Sequence, residues 1–287
     1  MRQHCRLAAF FVVLCGSQPV AAASITTFSG IDSNLASTSA PRPNSEAALV
    51  AFQAAVSALG QSVSTNDFET APLTPGALPN GVPVDLGAGL TMTLGNTSSA
   101  TSSGNTFSTG IRSSANPVTA MFPQFGFNTT AGGAQFLRIV TQSISPDATT
   151  HATVTFDFAT SVDAFGLSLT GLGSNDGSAA SLHFVDGSSQ VLPIAGGNIS
   201  GTSIETEFFG FVDAGALISS VVFDLQYTNL TRGSSAYLLG IDDLRFATPV
   251  PAAAVPEPSS ALLLVTGLAV TQLWRRYSRP RALSGDV

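Results

Sequence analysis

Residues 152–158 read Ala-Thr-Val-Thr-Phe-Asp-Phe. Val154, Phe156 and Phe158 fall on one side of an extended chain, and Thr153, Thr155 and Asp157 on the other. Side chains of a strand alternate between its two faces, so this run predicts a strand with one buried and one wet face. Similar short runs flank it: GLTMTL (89–94), AQFLRIV (134–140), AFGLSLTG (164–171), SLHFV (181–185), QVLPI (190–194), IETEFFGFV (204–212), ISSVVFDLQY (218–227) and YLLGIDDLRF (237–246). Between SLHFV and QVLPI stands Asp186-Gly187, the dipeptide that a tight hairpin turn prefers. Many short strands joined by small polar turns predict a mainly β protein, an antiparallel sandwich of two sheets. The Gly/Ser/Thr/Asn-rich stretch 95–133 predicts long loops with one or two weak strands.

One segment before the strands has a different period. In NSEAALVAFQAAVSALGQ (44–61), Leu49, Phe52, Val56 and Leu59 recur at steps of three and four. Asn44 or Ser45 can cap its start, Glu46 suits the first turn, and Gly60 supplies a stop. This predicts one N-terminal amphipathic helix of about 14 residues. Residues 24–44 read as a polar entry segment holding one strand at SITTFSG.

Charge narrows the partners. Between residues 24 and 255 the chain carries five arginines, no lysine and sixteen acids, a net charge of −11. Nucleic-acid binding needs clustered basic residues, so nucleic acid is excluded as an expected partner. Cys5 and Cys15 are the only cysteines, and both precede residue 24. The remainder has neither a disulfide nor a thiolate metal site to draw on.

Both ends read as addresses. Arg2 and Arg6 precede an apolar run from Leu7 to Leu14, and small residues end at Ala21-Ala22-Ala23. That order is a secretory signal peptide over 1–23, with Ala21 and Ala23 marking the cleavage site and the export machinery as partner. After a linker at 248–254 the C-terminus has three parts. Val255-Pro256-Glu257-Pro258 is held extended by its prolines. Residues 259–274 hold no charge and predict a hydrophobic, membrane-spanning helix. Arg275, Arg276, Arg279 and Arg281 follow, which places that end in the cytoplasm. A permanent single-pass anchor is the rival reading. A short tail, 282–287, closes the chain.

Residues 255–281, with these three parts in order, resemble the PEP-CTERM sorting signal of exported bacterial proteins. The resemblance implies processing by an exosortase-type membrane protease. It also implies a membrane-anchored precursor, then delivery to the cell surface or extracellular matrix. The order of AALVAFQAAV, then 65–76, 164–171 and 240–246, is similar to the passengers of many such proteins across roughly residues 45–247. That resemblance implies a jelly-roll-like sandwich of the carbohydrate-binding type.

In a jelly roll the first and last strands commonly pair. This would bring Asp67 and Glu69 toward Asp242 and Asp243, a candidate site for Ca²⁺, which takes 6–8 oxygen ligands. The plainer reading leaves Asp242 and Asp243 as turn residues with Arg245 as a partner. His151 and His183 read as solvent-facing residues. No G-x-S-x-G elbow, H-E-x-x-H, Walker or Rossmann pattern is present. The expectation is a non-catalytic exported protein of the cell surface or biofilm matrix. The alternative is a carbohydrate-binding module, calcium-assisted, with extracellular polysaccharide as partner. Sugar platforms favour exposed aromatics, and between residues 24 and 250 the only tyrosines are Tyr227 and Tyr237.

Overall fold

The structure is a computed structural model. It describes residues 24–74, 76–102, 104–115, 123–143, 145–173, 178–196, 204–229, 235–249 and 267–274. The alternation read at 152–158 is the middle of β9 (Thr149–Val162), whose Ala152, Val154, Phe156 and Phe158 are buried. On one side β9 pairs antiparallel with β14 (Ile218–Thr228), which pairs with β11 (Ser178–Val185), then β12 (Ser189–Ile194). On the other side stand β4 (Leu90–Gly95) and β3 (Val84–Gly87), completing a six-stranded sheet.

A second antiparallel sheet runs in the order β1 (Thr26–Leu35), β13 (Ile204–Val212), β10 (Ala164–Thr170), β15 (Ser235–Ala247), β8 (Gln135–Ser143) and β7 (Gly110–Ser113). A short seventh strand, β2 (Ser64–Asn66), pairs with residues 244–246 of β15. β5 (Ser99–Ser102) and β6 (Asn105–Ser108) form a separate ribbon. The predicted antiparallel, mainly β architecture of two sheets is therefore present. The Asp186-Gly187 turn is one residue longer than expected: Val185 pairs with Ser189, leaving Asp186, Gly187 and Ser188 as the connection.

The sheets share one hydrophobic core. Phe165 of β10 is fully buried, with ring centroids 5.7 Å from Phe156, 5.9 Å from Phe158 and 6.3 Å from Phe211. Phe184 of β11 stacks on Phe211 of β13 at 4.2 Å. A smaller core lies on the other face of the second sheet, under α1 (Pro43–Ala58). There Phe52 is fully buried and meets Phe208 at 5.5 Å and Phe28 at 5.9 Å. This layering explains why β10 and β13 are buried on both faces while β9 alternates.

The helix differs from the sequence reading at both ends. It begins at Pro43, a residue whose missing N–H is harmless in a first turn. Neither Asn44 nor Ser45 caps it; Asp32 of β1 does so from outside. Asp32 Oδ1 accepts from Asn44 N (3.1 Å), and Oδ2 accepts from Ser45 N and Ser45 Oγ (both 2.8 Å). Ala48 joins Phe52 and Val56 on the buried face, whereas Leu59, the C-cap residue, is exposed. Gly30 of β1 permits the contact, since a Cβ there would lie 2.1 Å from the Asn44 carbonyl oxygen. The segment 24–44 is thus a paired strand and a cap as well as an entry.

A capping carboxylate that is itself buried holds the helix to the sheet. Asp32→Ala is expected to cost about 1–2 kcal/mol, read as a lower urea midpoint with an unchanged slope. Asp32→Asn should recover about half, and equal loss in both variants would refute the capping role.

The described chain divides into two units, one ending at Pro249 and one beginning at Val250. In the second, residues 267–274 are helical, with Leu268, Val270, Leu273 and Trp274 exposed. This is the C-terminal part of the segment 259–274. Residues 259–266 lie outside the described residues, as do 1–23 with Ala21 and Ala23, the motif Val255, Pro256, Glu257 and Pro258, and Arg275, Arg276 and Arg279. Among the described residues no helix is long and apolar enough to cross a membrane.

Candidate functional site

A cleft of about 330 Å³ opens beside the N-terminal half of α1, on the outer face of the second sheet. Ser168, Thr206, Asp243 and Arg245 of three adjacent strands contribute to it, and Arg42, Ser45, Glu46 and Leu49 line its helix side. The loop residues Thr129, Thr130 and Ala131, with Thr65 and Asp67 at the end of β2, complete the wall.

Asp243 enters the cleft through a backbone irregularity. Opposite β10, Ser168 pairs with Asp242 and Gly166 with Arg245, so β15 carries one residue more than its partner. Asp243 has φ 48, a left-handed conformation that non-glycine residues seldom adopt. Such bulges re-aim side chains. Here both acids are buried, and only Asp243 lines the cleft.

Hydrogen bonds fix both acids. Asp242 Oδ2 accepts from Thr129 N (2.6 Å), Thr129 Oγ1 (2.9 Å) and Thr130 N (3.2 Å). Asp243 accepts from Thr130 Oγ1 and lies 3.3 Å from Arg245 Nη2. Arg245 also donates through Nη1 to the Asp243 carbonyl (2.8 Å), and its guanidinium lies 5.9 Å from the Phe208 ring centroid. Burial, and then the neighbouring Asp243 charge, raise the Asp242 carboxyl to about 7. On the helix side, Arg42 donates to the Thr129 carbonyl and lies over Phe127.

The four acids singled out in the sequence are divided among three tasks. Asp67 lines the cleft and accepts from Glu69 N (3.1 Å). Glu69 Oε1 organises the loop before β8, accepting from Ala134 N (2.6 Å), Gln135 N (2.7 Å) and Asn128 Nδ2 (2.9 Å). Asp242 and Asp243 anchor Thr129 and Thr130. Asp242 and Asp243 are strand residues at a bulge, not turn residues, and the expected partner Arg245 pairs with Asp243. The strand that brings Asp67 beside Asp243 is β2, not the first strand of the fold. Among the described residues no three His, Cys, Asp or Glu side chains are grouped as a metal would need. The Thr129-Thr130 contribution had no signal in the sequence, where it is two residues of a Thr-rich loop.

The histidines lie on the outer face of the first sheet, with His151 and His183 side chains 46% and 39% exposed. His151 Nδ1 lies 3.1 Å from Asp224 Oδ1. Ser181 Oγ lies 2.8 Å from His183 Nε2, and Asp224 Oδ2 lies 3.9 Å from that same nitrogen. A Ser-His-Asp relay needs the acid on the opposite ring nitrogen from the serine. This arrangement is therefore a polar ladder and does not activate Ser181. Tyr227 and Tyr237 stack on each other at 5.6 Å and are buried, so neither offers a platform to a sugar ring.

No family model matches the chain, and no curated protein matches it. Among solved structures, TmCBM61 in complex with beta-1,4-galactotriose is similar over 64% of this chain and 95% of its own, at 10% identity and a TM-score of 0.33. So low a score carries nothing further about this chain.

Proposed function

We propose that this chain is an exported, non-catalytic protein of the cell surface or extracellular matrix whose sandwich binds a saccharide in the cleft beside α1. The export part rests on the sequence. Residues 1–23 act as the signal peptide, and 259–274 hold the precursor in the membrane. Residues 255–281 serve as a PEP-CTERM-type sorting signal for an exosortase-type protease. The jelly-roll reading of the passenger is supported by a chain that changes sheet six times between β8 and β15.

One observation carries the binding part: the cleft wall is a set of hydroxyls, carboxylates and guanidinium groups already held in place by one another. Saccharide hydroxyls both donate and accept, and charged partners give the stronger bonds to them. A preformed concave site with a few fixed polar groups is what small-ligand recognition uses. Leu49 and Phe208 supply its apolar part. The one aromatic in the cleft wall, Phe208, is buried and offers no platform to a sugar ring, so recognition here is by hydrogen bonds.

A glycan array probed with the full chain in detergent tests the cleft. Binding should weaken at least tenfold in Asp67→Ala, equivalent to about 1.4 kcal/mol, with an unchanged melting temperature. A blank array, or binding indifferent to Asp67→Ala, removes the saccharide reading. Export has its own test, because loss of 255–281 should release the protein from the membrane fraction. Wild-type protein found soluble in the cytoplasm would sink that part.

A further inference from the structure

Three connections meet just past the C-terminal end of α1. Gln61 follows the helix, Asp163 is the single residue between β9 and β10, and Asp213 follows β13. Their backbones are tied together: Asp163 N donates to the Ala247 carbonyl (3.0 Å), and Asp213 N donates to the Asp163 carbonyl (2.7 Å). One carboxylate oxygen, Asp163 Oδ2, accepts from Gln61 Nε2 (2.8 Å) and Gly215 N (3.2 Å).

The atoms left over are all acceptors. Asp163 Oδ1, Gln61 Oε1 and both carboxylate oxygens of Asp213 are buried and have no hydrogen-bond partner. Asp163 and Asp213 are each 1% exposed. Buried acceptors without donors are costly, and buried charges without partners more so. Asp213 also faces Asp186, whose oxygens take Ser188 N, Ser188 Oγ and Gln190 Nε2. Two ionised carboxylates offer each other no donor, so that contact is a hydrogen bond only while one of them keeps a proton. Burial and this crowding raise the Asp213 carboxyl to about 6.

We infer that Gln61, Asp163 and Asp213 form a Ca²⁺ site. The ligands are Asp163 Oδ1, the Asp213 carboxylate and Gln61 Oε1. Backbone carbonyls and water complete the six to eight oxygens that Ca²⁺ takes. The set contains no sulfur or imidazole, which favours Ca²⁺ over Zn²⁺. It differs from an acid triplet in taking an amide as its third side chain. The cation ties the post-helix segment to two inter-sheet connections, so its effect is on stability, separate from the cleft.

Calorimetric titration and thermal unfolding of the full chain, first stripped with EGTA, test the site. At 1 mM Ca²⁺ the wild type should melt about 5 °C or more above its EGTA value, with Mg²⁺ giving less. Asp213→Asn should abolish the Ca²⁺ response. In EGTA it should melt at or above the wild-type temperature, since a like charge has gone. Gln61→Ala should weaken binding several-fold and carries the test if Asp213→Asn misfolds. Asp243→Asn should keep the full response. A wild type indifferent to Ca²⁺ overturns the inference. So does a response that survives in both Asp213→Asn and Gln61→Ala, or one that disappears in Asp243→Asn.

Discussion

Phe165→Ala is expected to lower the melting temperature by about 10 °C. The ring is fully buried between the sheets and touches Phe156 and Phe158 of one and Phe211 of the other. Truncating a buried phenylalanine removes its transfer energy and leaves a cavity, together about 3–5 kcal/mol. In a domain of this size each kcal/mol shifts the midpoint by about 2–4 °C. Collapse of the neighbours is limited, because Phe165 is anchored in a strand paired on both sides, to β13 and β15. Val191→Ala, on the exposed face of β12, is the control and should change stability by less than about 0.5 kcal/mol. Circular dichroism melts of both variants read the difference. Equal melting temperatures would show that the two sheets do not share this core.

The second large effect is a loss of stability as pH rises, caused by Glu207. This residue lies on β13 opposite Leu169 of β10, on the face turned toward the inter-sheet core. It is fully buried, and neither carboxylate oxygen has a hydrogen-bond partner. Burial, reinforced by the charge of Glu205 two residues away, raises its carboxyl to about 9 from an ordinary 4.5. The folded protein thus keeps a proton that the unfolded chain gives up above pH 4.5. Stability from this group is complete below the unfolded value and falls as pH climbs through the interval up to about 9. The slope is about 1.4 kcal/mol for each pH unit, so between pH 5 and pH 8 the loss is on the order of 4 kcal/mol. Glu207→Gln stays neutral throughout and should lose about 4 kcal/mol less than the wild type between pH 5 and pH 8, the loss that remains coming from Asp242 and Asp213, whose carboxyls are also raised. At pH 5 it should resemble the wild type. A wild type as stable at pH 8 as at pH 5, with Glu207→Gln no better, would mean that the carboxyl is solvated or paired.

Glu207 also shows where reading the sequence stops. In Ile-Glu-Thr-Glu-Phe-Phe-Gly-Phe-Val (204–212) the two glutamates alternate with other residues as they would on a wet strand face. They are nevertheless buried, because β13 is an inner strand with the first sheet on one face and α1 on the other. Strand order decides that, and strand order is not written in any one strand. β9 was legible for the opposite reason: its outer face meets no further layer, so its own alternation is its burial pattern. The helix was legible through Phe52 and Val56. Its cap was not, since Asp32 precedes it by about a dozen residues with no spacing rule to announce it.

The sequence alone settled the mainly β character, the period of its strands, one helix and the absence of thiol chemistry after residue 15, since each follows from local chain geometry or composition. The meeting of Thr129 with Asp242, 113 positions apart, belongs to the tertiary structure. So does the convergence of Gln61, Asp163 and Asp213. A polar side chain's partner depends on which strands lie side by side, and that is fixed by burying the whole core at once, not by the residues next to it.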